Sequence, residues 1–260
     1  MTLHTTIHLH NVPPGREAEY AAWFDGAHRE ALARLRGWRS ADRFEVTPEQ
    51  VMPDIPQPWR YLSVYDFDYP APEIDLPALA PLLAEARDAG LIEDSTETER
   101  IHSYRMYSDW VSGPNHREDQ PFSSVFIIPA NFVPGMEAEY HKWYDEVHMP
   151  EVSRVPGFVA MRRGRLSDLQ LEPRRYCPGS DLVMCAHQTD DLLFSVKDFS
   201  ARARGVSPSG IAMEPRSKAG SVARTVHFFR RISGDRQWDD GIAYAGDLSV
   251  YPENFRITGA

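Results

Sequence analysis

The chain has 260 residues, enough for one large domain or for two of roughly 110–130 residues. Hydrophobic residues make up 42% and charged residues 25%, as in an ordinary globular protein. The net charge of −10 excludes nucleic acid and anionic membranes as expected partners, because both are bound through clustered Lys and Arg. With only Cys177 and Cys185, no disulfide framework is expected.

The first predicted element is a strand over residues 3–12, which are rich in β-branched side chains and alternate in polarity. His8 and His10 are two apart and share one face of it, so they are candidates for lining a cavity. A metal would need a third ligand, and no nearby spacing supplies one, so no metal site is predicted. The opening segment lacks a signal-peptide pattern and no run of about 18 apolar residues occurs, so a cytoplasmic protein is expected.

A turn and a helix follow, and they occur twice. At a fixed shift of 120 positions, residues 11–45 match residues 131–165 at 13 of 35 positions, where average composition would give about two. The matches include Trp23 with Trp143, Asp25 with Asp145, and His28 with His148. A period of this size indicates two homologous domains.

The remaining elements also come in pairs. Strands are predicted near 38–46 and 158–166, at 59–68 and 180–189, and near 100–107 and 222–232, with helices near 76–90 and 190–204. The predicted domains are residues 1–112 and 121–232, joined by the polar Gly/Pro stretch 112–121. Residues 233–260 follow the second domain as an extension that contains Trp238, Tyr244, Tyr251 and Phe255. Because a disordered tail usually lacks aromatic residues, the extension is predicted to pack on the barrel that the two domains are expected to form.

The order β-α-β-β-α-β in each half predicts an α+β fold, an antiparallel sheet with both helices on one face. The other face must be covered, and the sheet of the second half can cover it. Two four-stranded sheets facing one another would make a closed or nearly closed barrel with a cavity between them.

The first helix of the second half carries the main candidate site. Asp145 and His148 are three apart, so the carboxylate could raise the pKa of the imidazole and orient it for acid–base catalysis. Asp25 and His28 would be the second set. In the alternative interpretation, His148 caps the end of the helix and Asp145 pairs with an arginine such as Arg163. Pro150 is expected to end or kink this helix near His148–Met149.

Several further side chains are candidates for binding a substrate. Trp143, Tyr144 and Trp23 could stack on an aromatic compound, although their spacing suits core packing equally well. Strand residues would join the pocket if they face inward, but a one-residue shift in register reverses the facing. These residues are Tyr65, Tyr104, His187 and His227.

The stretch EAEYHKWYDEVHMPEVSRVPGF resembles the first helix and following turn of EthD-like proteins, in the dimeric α+β barrel (ferredoxin-like) superfamily. The resemblance implies two fused ferredoxin-like domains that share one barrel, with a small-molecule site on the inner side of each sheet. It also implies that His148, and by the repeat His28, is the family's common histidine. The first half departs from the pattern, since HRE replaces HMP and LRGW lacks the proline of VPGF.

The prediction is a cofactor-independent acid–base enzyme, an isomerase, lyase or cyclase, acting on a small aromatic or cyclic oxygenated metabolite. The alternatives are a haem- or oxygen-dependent dehydratase or monooxygenase of the same superfamily, and a non-catalytic barrel that binds a small molecule. A homodimer is an open possibility.

Overall fold

The structure, a computed structural model, describes residues 2–51, 59–93, 100–172, 179–222 and 227–232. Within these ranges there are ten strands and four helices. The strands are β1 (Thr2–His10), β2 (Trp38–Val46), β3 (Tyr61–Tyr69), β4 (Arg100–Met106), β5 (Val111–Ser112), β6 (Ser124–Phe132), β7 (Phe158–Leu166), β8 (Asp181–His187), β9 (Gly220–Val222) and β10 (His227–Arg231).

Three of the four helices consist of consecutive segments. Helix α1 runs through Glu17–Trp23, Phe24–His28 and Arg29–Leu32, and α3 runs through Glu137–Trp143, Tyr144–His148 and Met149–Val152. Helix α2 comprises Pro72–Asp75, Leu76–Leu79 and Ala80–Asp88, and α4 is Leu192–Ala203. In the described part of the chain, none of them combines the length and apolar character needed to span a bilayer.

Eight strands close an antiparallel barrel in the order β10-β2-β3-β1-β4-β7-β8-β6, and β10 closes the ring by pairing with β6. The short strands β5 and β9 attach to β7 and β6 outside the ring. The first half supplies β1 to β4, and the second half supplies β6, β7, β8 and β10. The molecule is therefore a mixed α+β fold built on a closed eight-stranded barrel.

The pairing registers of the two halves are related by the same shift of 120 positions. Tyr65 lies opposite Thr6 of β1 and Ala41 of β2. Cys185, 120 positions later, lies opposite Phe126 of β6 and Met161 of β7. Both second strands also carry an irregularity at matching places, between residues 38 and 40 and between residues 158 and 160. Each side chain of these strands thus has a structural counterpart in the other half.

The two faces of the sheet bury different sets of side chains. One face packs beneath the helices, where Tyr61 and Tyr65 belong to the core of the first half and Val183 and Cys185 to that of the second. The other face fills the barrel with an apolar cluster formed by both halves: Ile7, Leu9, Phe44, Trp59, Leu62, Val64, Tyr104, Met106, Val125, Ile127, Leu182, Met184 and Phe229. The space between the sheets, predicted to be a cavity, is occupied by this cluster.

The sequence predicted that Pro150 would end or kink helix α3 near His148–Met149, and the helix does not end there. It makes a wide turn over Tyr144–His148 and continues to Val152. Pro150 falls in the first turn of the last segment, where its missing N–H costs little. Helix α1 is interrupted at the matching place, Phe24–His28, where Gly26 has non-helical angles (φ −104°, ψ −106°), and it has no proline there. An interruption at this place therefore does not require Pro150.

Matched glycines connect the first helix of each half to its second strand. Gly37 and Gly157 have φ angles of 82° and 88°, which side-chain-bearing residues rarely adopt. A Cβ on Gly37 would lie 2.5 Å from the carbonyl oxygen of Asp68, and one on Gly157 would clash with Ser195 Oγ. These contacts explain why glycine occurs in both RGW and PGF.

The connection between the halves is more ordered than a free linker. Val111 and Ser112 pair with β7, and the Gln188 side chain donates hydrogen bonds to the carbonyls of Arg117 and Gln120. The domain limits 1–112 and 121–232 remain predictions. The predicted extension, residues 233–260, lies outside the described residues.

Candidate functional site

His148 ends the wide turn of α3 and lies against a tryptophan. Its ring stacks on Trp143 at a centroid distance of 4.4 Å and an interplanar angle of 13°, and it meets Tyr144 edge-on at 5.5 Å. Among the described residues the imidazole makes no hydrogen bond, and its Nδ1 is buried. Burial, aided by the positive charge of Arg216, lowers the pKa of His148 to about 4. The ring is therefore neutral at neutral pH.

Asp145 is not the partner of His148. Its carboxylate accepts a 2.5 Å hydrogen bond from Arg163 Nη1 and is largely exposed. The Arg163 guanidinium also lies 2.6 Å from His141 Nδ1 and packs over the Tyr144 ring, with its Cζ 4.5 Å from the ring centroid. One part of the alternative interpretation is therefore found, the pairing of Asp145 with Arg163, whereas His148 does not cap the end of the helix, which continues to Val152. The stacked indole orients His148 in place of a carboxylate.

A recess opens beside His148, between α3 and the helix-facing side of the sheet. Its empty volume is about 250 Å³ with open solvent included, and it has room for roughly one water molecule. The walls are almost wholly apolar: Phe126, Ile128, Tyr144, His148, Met149, Val152, Phe158, Met161, Val183, Cys185 and Phe199. We call this space the His148 recess. It lies outside the barrel wall, not between the two sheets.

The matching position in the first half is closed. His28 is fully buried and stacks on Trp23 at 4.1 Å and 26°, as His148 does on Trp143. Its Nε2 lies 3.3 Å from the hydroxyl of Tyr65. Burial lowers the pKa of His28 to about 3, and Asp25 pairs with Arg43 at 2.6 Å. Both predicted Asp–His pairs are thus separated in the same way.

His8 and His10 also face the helices of the first half. Their rings lie 4.4 Å apart, and His10 meets Tyr20 and Tyr61 at 5.2 and 5.8 Å. Burial holds the pKa of His10 well below its ordinary value, with the neighbouring His8 adding to the effect. Within the described ranges, no group of three or more His, Cys, Asp or Glu side chains could hold a metal ion.

The remaining predicted residues divide between the two faces. His187 lies beneath the helices, 4.2 Å from Phe158, and burial lowers its pKa to about 3. Tyr104 belongs to the cluster inside the barrel, where His227 lies 6.2 Å from Phe229. None of these three lines the His148 recess, whereas Tyr144 and His148 do.

Sequence reasoning missed most of the recess walls. Cys185 had been treated only as one of two cysteines, and the apolar residues Phe126, Phe158, Met161 and Phe199 had not been singled out. The one available signal was the repeat itself. A shift of 120 positions aligns Cys185 with Tyr65, although His148 and His28 are matched. The side chain of Cys185 is much smaller than that of Tyr65.

No protein-family model matches the sequence, and none of the curated proteins matches it. Solved structures do match, over most of the chain. An anthrone oxidase-like protein has a TM-score of 0.54 at 9% identity, covering 89% of this chain and 91% of its own. A protein from Lactobacillus acidophilus NCFM, described provisionally as a monooxygenase, has a TM-score of 0.51 at 10% identity, covering 89% and 94%.

A third match, described provisionally as a chlorite dismutase, has a TM-score of 0.50 at 11% identity, covering 89% of this chain and 95% of its own. At such identities the likeness concerns the fold and not the reaction. Together with the closed eight-stranded barrel and its four helices, these matches show that the chain has the fold of the dimeric α+β barrel proteins.

Proposed function

We propose that the chain is an enzyme that moves a proton on a small oxygenated aromatic or cyclic compound, with His148 as the proton acceptor. The observation that carries the proposal is a neutral imidazole, without a hydrogen-bond partner among the described residues, at the wall of an apolar recess. Only the neutral form of an imidazole can accept a proton.

The low pKa of His148 restricts the substrate. An imidazole with a pKa of about 4 is a weak base, so the proton it removes must be acidic. A phenolic O–H, with an ordinary pKa of about 10, comes nearer to this requirement than a C–H next to a carbonyl, and its transfer to His148 is still uphill, so the resulting ion pair must be stabilised. The resulting anion would lie beside the imidazolium in an apolar recess, where the attraction between opposite charges is strong. Isomerisation, elimination and cyclisation can all start from such an anion.

The first test is a screen of phenols and cyclic conjugated ketones, followed by absorbance, with the wild type and His148→Gln. We expect the substitution to lower kcat by about 100-fold, the scale of a lost general base. His28→Gln is the matched control, because His28 stacks on the equivalent tryptophan, Trp23, but has Tyr65 beside it in place of an open recess. An undiminished kcat in His148→Gln would remove His148 from the mechanism.

An oxygen-dependent oxidation is the second candidate. It is supported by the names of two structural neighbours, an anthrone oxidase-like protein and a provisionally described monooxygenase, and by apolar walls through which O₂ can diffuse. Proton removal by His148 would come first here too. Measuring dissolved oxygen during turnover separates the candidates, since only the oxidation consumes O₂.

A haem does not fit the His148 recess. The macrocycle needs a wide flat cavity and an axial ligand, whereas this recess has room for roughly one water molecule and is lined by Phe126, Phe158 and Phe199. No step of the proposal therefore uses haem. In the non-catalytic alternative, ligand binding would survive loss of both His28 and His148 and no product would form.

We also propose that the chain is a duplicated EthD-like domain, each copy a ferredoxin-like βαββαβ unit. The equal registers, the matching strand irregularities and the helix segments at matching positions support a common origin of the two halves. The cytoplasmic location and the possible homodimer remain predictions.

A further inference from the structure

Tyr65 fills, in the first half, the place next to the matched histidine. Its ring is buried between Phe24, 6.1 Å away, and His28, 5.8 Å away at 83°. Its hydroxyl lies 3.3 Å from His28 Nε2. The first half thus holds a phenol whose oxygen faces an imidazole that is stacked on a tryptophan.

The second half has the same frame without the phenol. Cys185 stands at the position of Tyr65, and the His148 recess opens there. Phe126 and Met161 replace Thr6 and Ala41 on the adjacent strands and narrow the recess from the sides. They do not close it, because Cys185 ends well short of the imidazole that a tyrosine hydroxyl would reach.

We infer that the His148 recess takes a monocyclic phenol, held as Tyr65 is held in the first half, with the phenol oxygen on His148 Nε2. The inference rests on the proposed function and names its substrate class. Tyr65 is in effect an internal copy of the bound ligand. Cys185 is the residue that determines whether the recess is open.

The walls of the recess suit this ligand. Phe158 and Tyr144 present aromatic surface to a ring, and His148 contributes the one side-chain nitrogen among the lining residues. The recess has room for roughly one water molecule, so a wall must move to admit a phenol ring. Met149 and Met161 are the side chains best suited to move, since an unbranched thioether adopts many rotamers at small cost.

The test uses p-cresol, which is the tyrosine side chain itself, with binding measured calorimetrically and the histidine ring signals followed by NMR. Wild type is expected to bind one p-cresol with a shift of the His148 ring signal. Toluene, which lacks the hydroxyl, should bind about fivefold more weakly, the scale of one lost hydrogen bond.

Two variants at position 185 test the steric argument. Cys185→Tyr should fill the recess and weaken p-cresol binding by at least tenfold, whereas Cys185→Ala should bind at least as well as wild type. Tyr65→Ala should open the first half and create a second p-cresol site that shifts the His28 signal. A folded Cys185→Tyr protein with wild-type affinity would overturn the inference.

If Cys185→Tyr does not fold, the wild-type NMR titration decides: saturation with p-cresol without a shift at His148 overturns the inference. The proposed function fails separately. Binding of p-cresol at His148 combined with full turnover in His148→Gln would refute the catalytic role and leave the site assignment standing. Loss of turnover in His148→Gln, in a protein whose wild type does not bind p-cresol, would refute the site assignment and leave the catalytic role standing.

Discussion

At the scale of single residues, each of the two histidine rings is held in place by stacking on a tryptophan five positions earlier in the helix. The pairs are His148 with Trp143 and His28 with Trp23. A stacked indole fixes the plane of an imidazole without adding charge, whereas a carboxylate would also raise its pKa. The protonation state of His148 therefore depends on burial. The sequence indicated the Trp-x-Asp-x-x-His pattern, but not how deeply its histidine is buried.

The activity should therefore not follow the ordinary titration of histidine. Because burial lowers the pKa of His148 to about 4, the imidazole stays neutral from pH 5.5 to 8 and kcat/KM should be nearly flat over that range. The measurement is a pH–rate profile on the substrate found in the screen. An inflection between pH 6 and 7 would show that the essential base has an unshifted pKa.

Asp145 should contribute little to catalysis. Asp145→Asn is expected to change kcat by less than about threefold and the free energy of unfolding by less than about 1 kcal/mol, because the Asp145 carboxylate is exposed to solvent and the buried Arg163 keeps a second carboxylate, Asp181, at 3.9 Å. Steady-state kinetics and urea unfolding measure the two effects. A loss comparable to that of His148→Gln would return Asp145 to the mechanism.

At the scale of elements, each half is fastened to the last strand of the other by a glutamine. Gln170 Nε2 donates to the carbonyl of Ser103 on β4, and the amide of Ser103 donates to Gln170 Oε1. Gln50 makes the same pair of bonds with Phe228 on β10. These amides extend the pairing where the two halves meet.

Replacing either glutamine should destabilise the barrel. Gln50→Ala leaves the buried amide of Phe228 without its acceptor, while the carbonyl keeps the hydrogen bond from the Thr47 amide, so we expect a loss of about 2 kcal/mol in the free energy of unfolding by urea. Gln188→Ala is the matched control, because its amide bonds lie at the surface and should cost under about 1 kcal/mol. Equal losses in the two variants would contradict this role.

Strands and helices were largely predictable at this scale, because alternation and helical spacing depend on local sequence. The second strands were predicted near 38–46 and 158–166 and are found at Trp38–Val46 and Phe158–Leu166. The continuation of α3 past Pro150 was not predictable, since a wide turn in the preceding segment has no composition of its own. The glutamine bonds were hidden too, because they join residues more than 60 positions apart.

At the scale of the whole molecule, the barrel buries imidazoles in their neutral form. His28 and His187 are fully buried, and burial lowers the pKa of each to about 3. In the unfolded chain both return to about 6.5, so the unfolded state binds more protons between these values. The stability that depends on keeping His28 and His187 neutral is therefore fully present above pH 6.5, and it is lost as the pH falls towards 3.

The chain should accordingly be sensitive to acid. Each of His28 and His187 should lower the free energy of unfolding by about 2 kcal/mol at pH 5 relative to pH 7, because pH 5 lies below the pKa of about 6.5 in the unfolded chain. Urea unfolding at the two pH values measures the loss, and His187→Gln should recover part of it. Equal stability of wild type at pH 5 and pH 7 would contradict the burial of neutral histidines.

The barrel itself followed from the repeat and from the need to cover a sheet face. The filled interior of the barrel could not be predicted in this way, because the volumes of side chains on eight strands together decide whether a barrel is hollow. Tyr104 and Met106 point inward and help to fill it, whereas His8, Tyr65 and His187 face the helices. A period-two pattern cannot tell these two faces apart when both are buried.

The closing contact of the ring joins residues far apart in the sequence. Strand β10 pairs with β2, where Phe229 lies opposite Val46 and Arg231 opposite Phe44. During synthesis the first half therefore emerges with β2 as an unpaired edge, and it waits for almost the whole chain before its partner leaves the ribosome. High contact order of this kind slows folding. Chaperone dependence should therefore concentrate in the interval between the emergence of β2 and the emergence of β10.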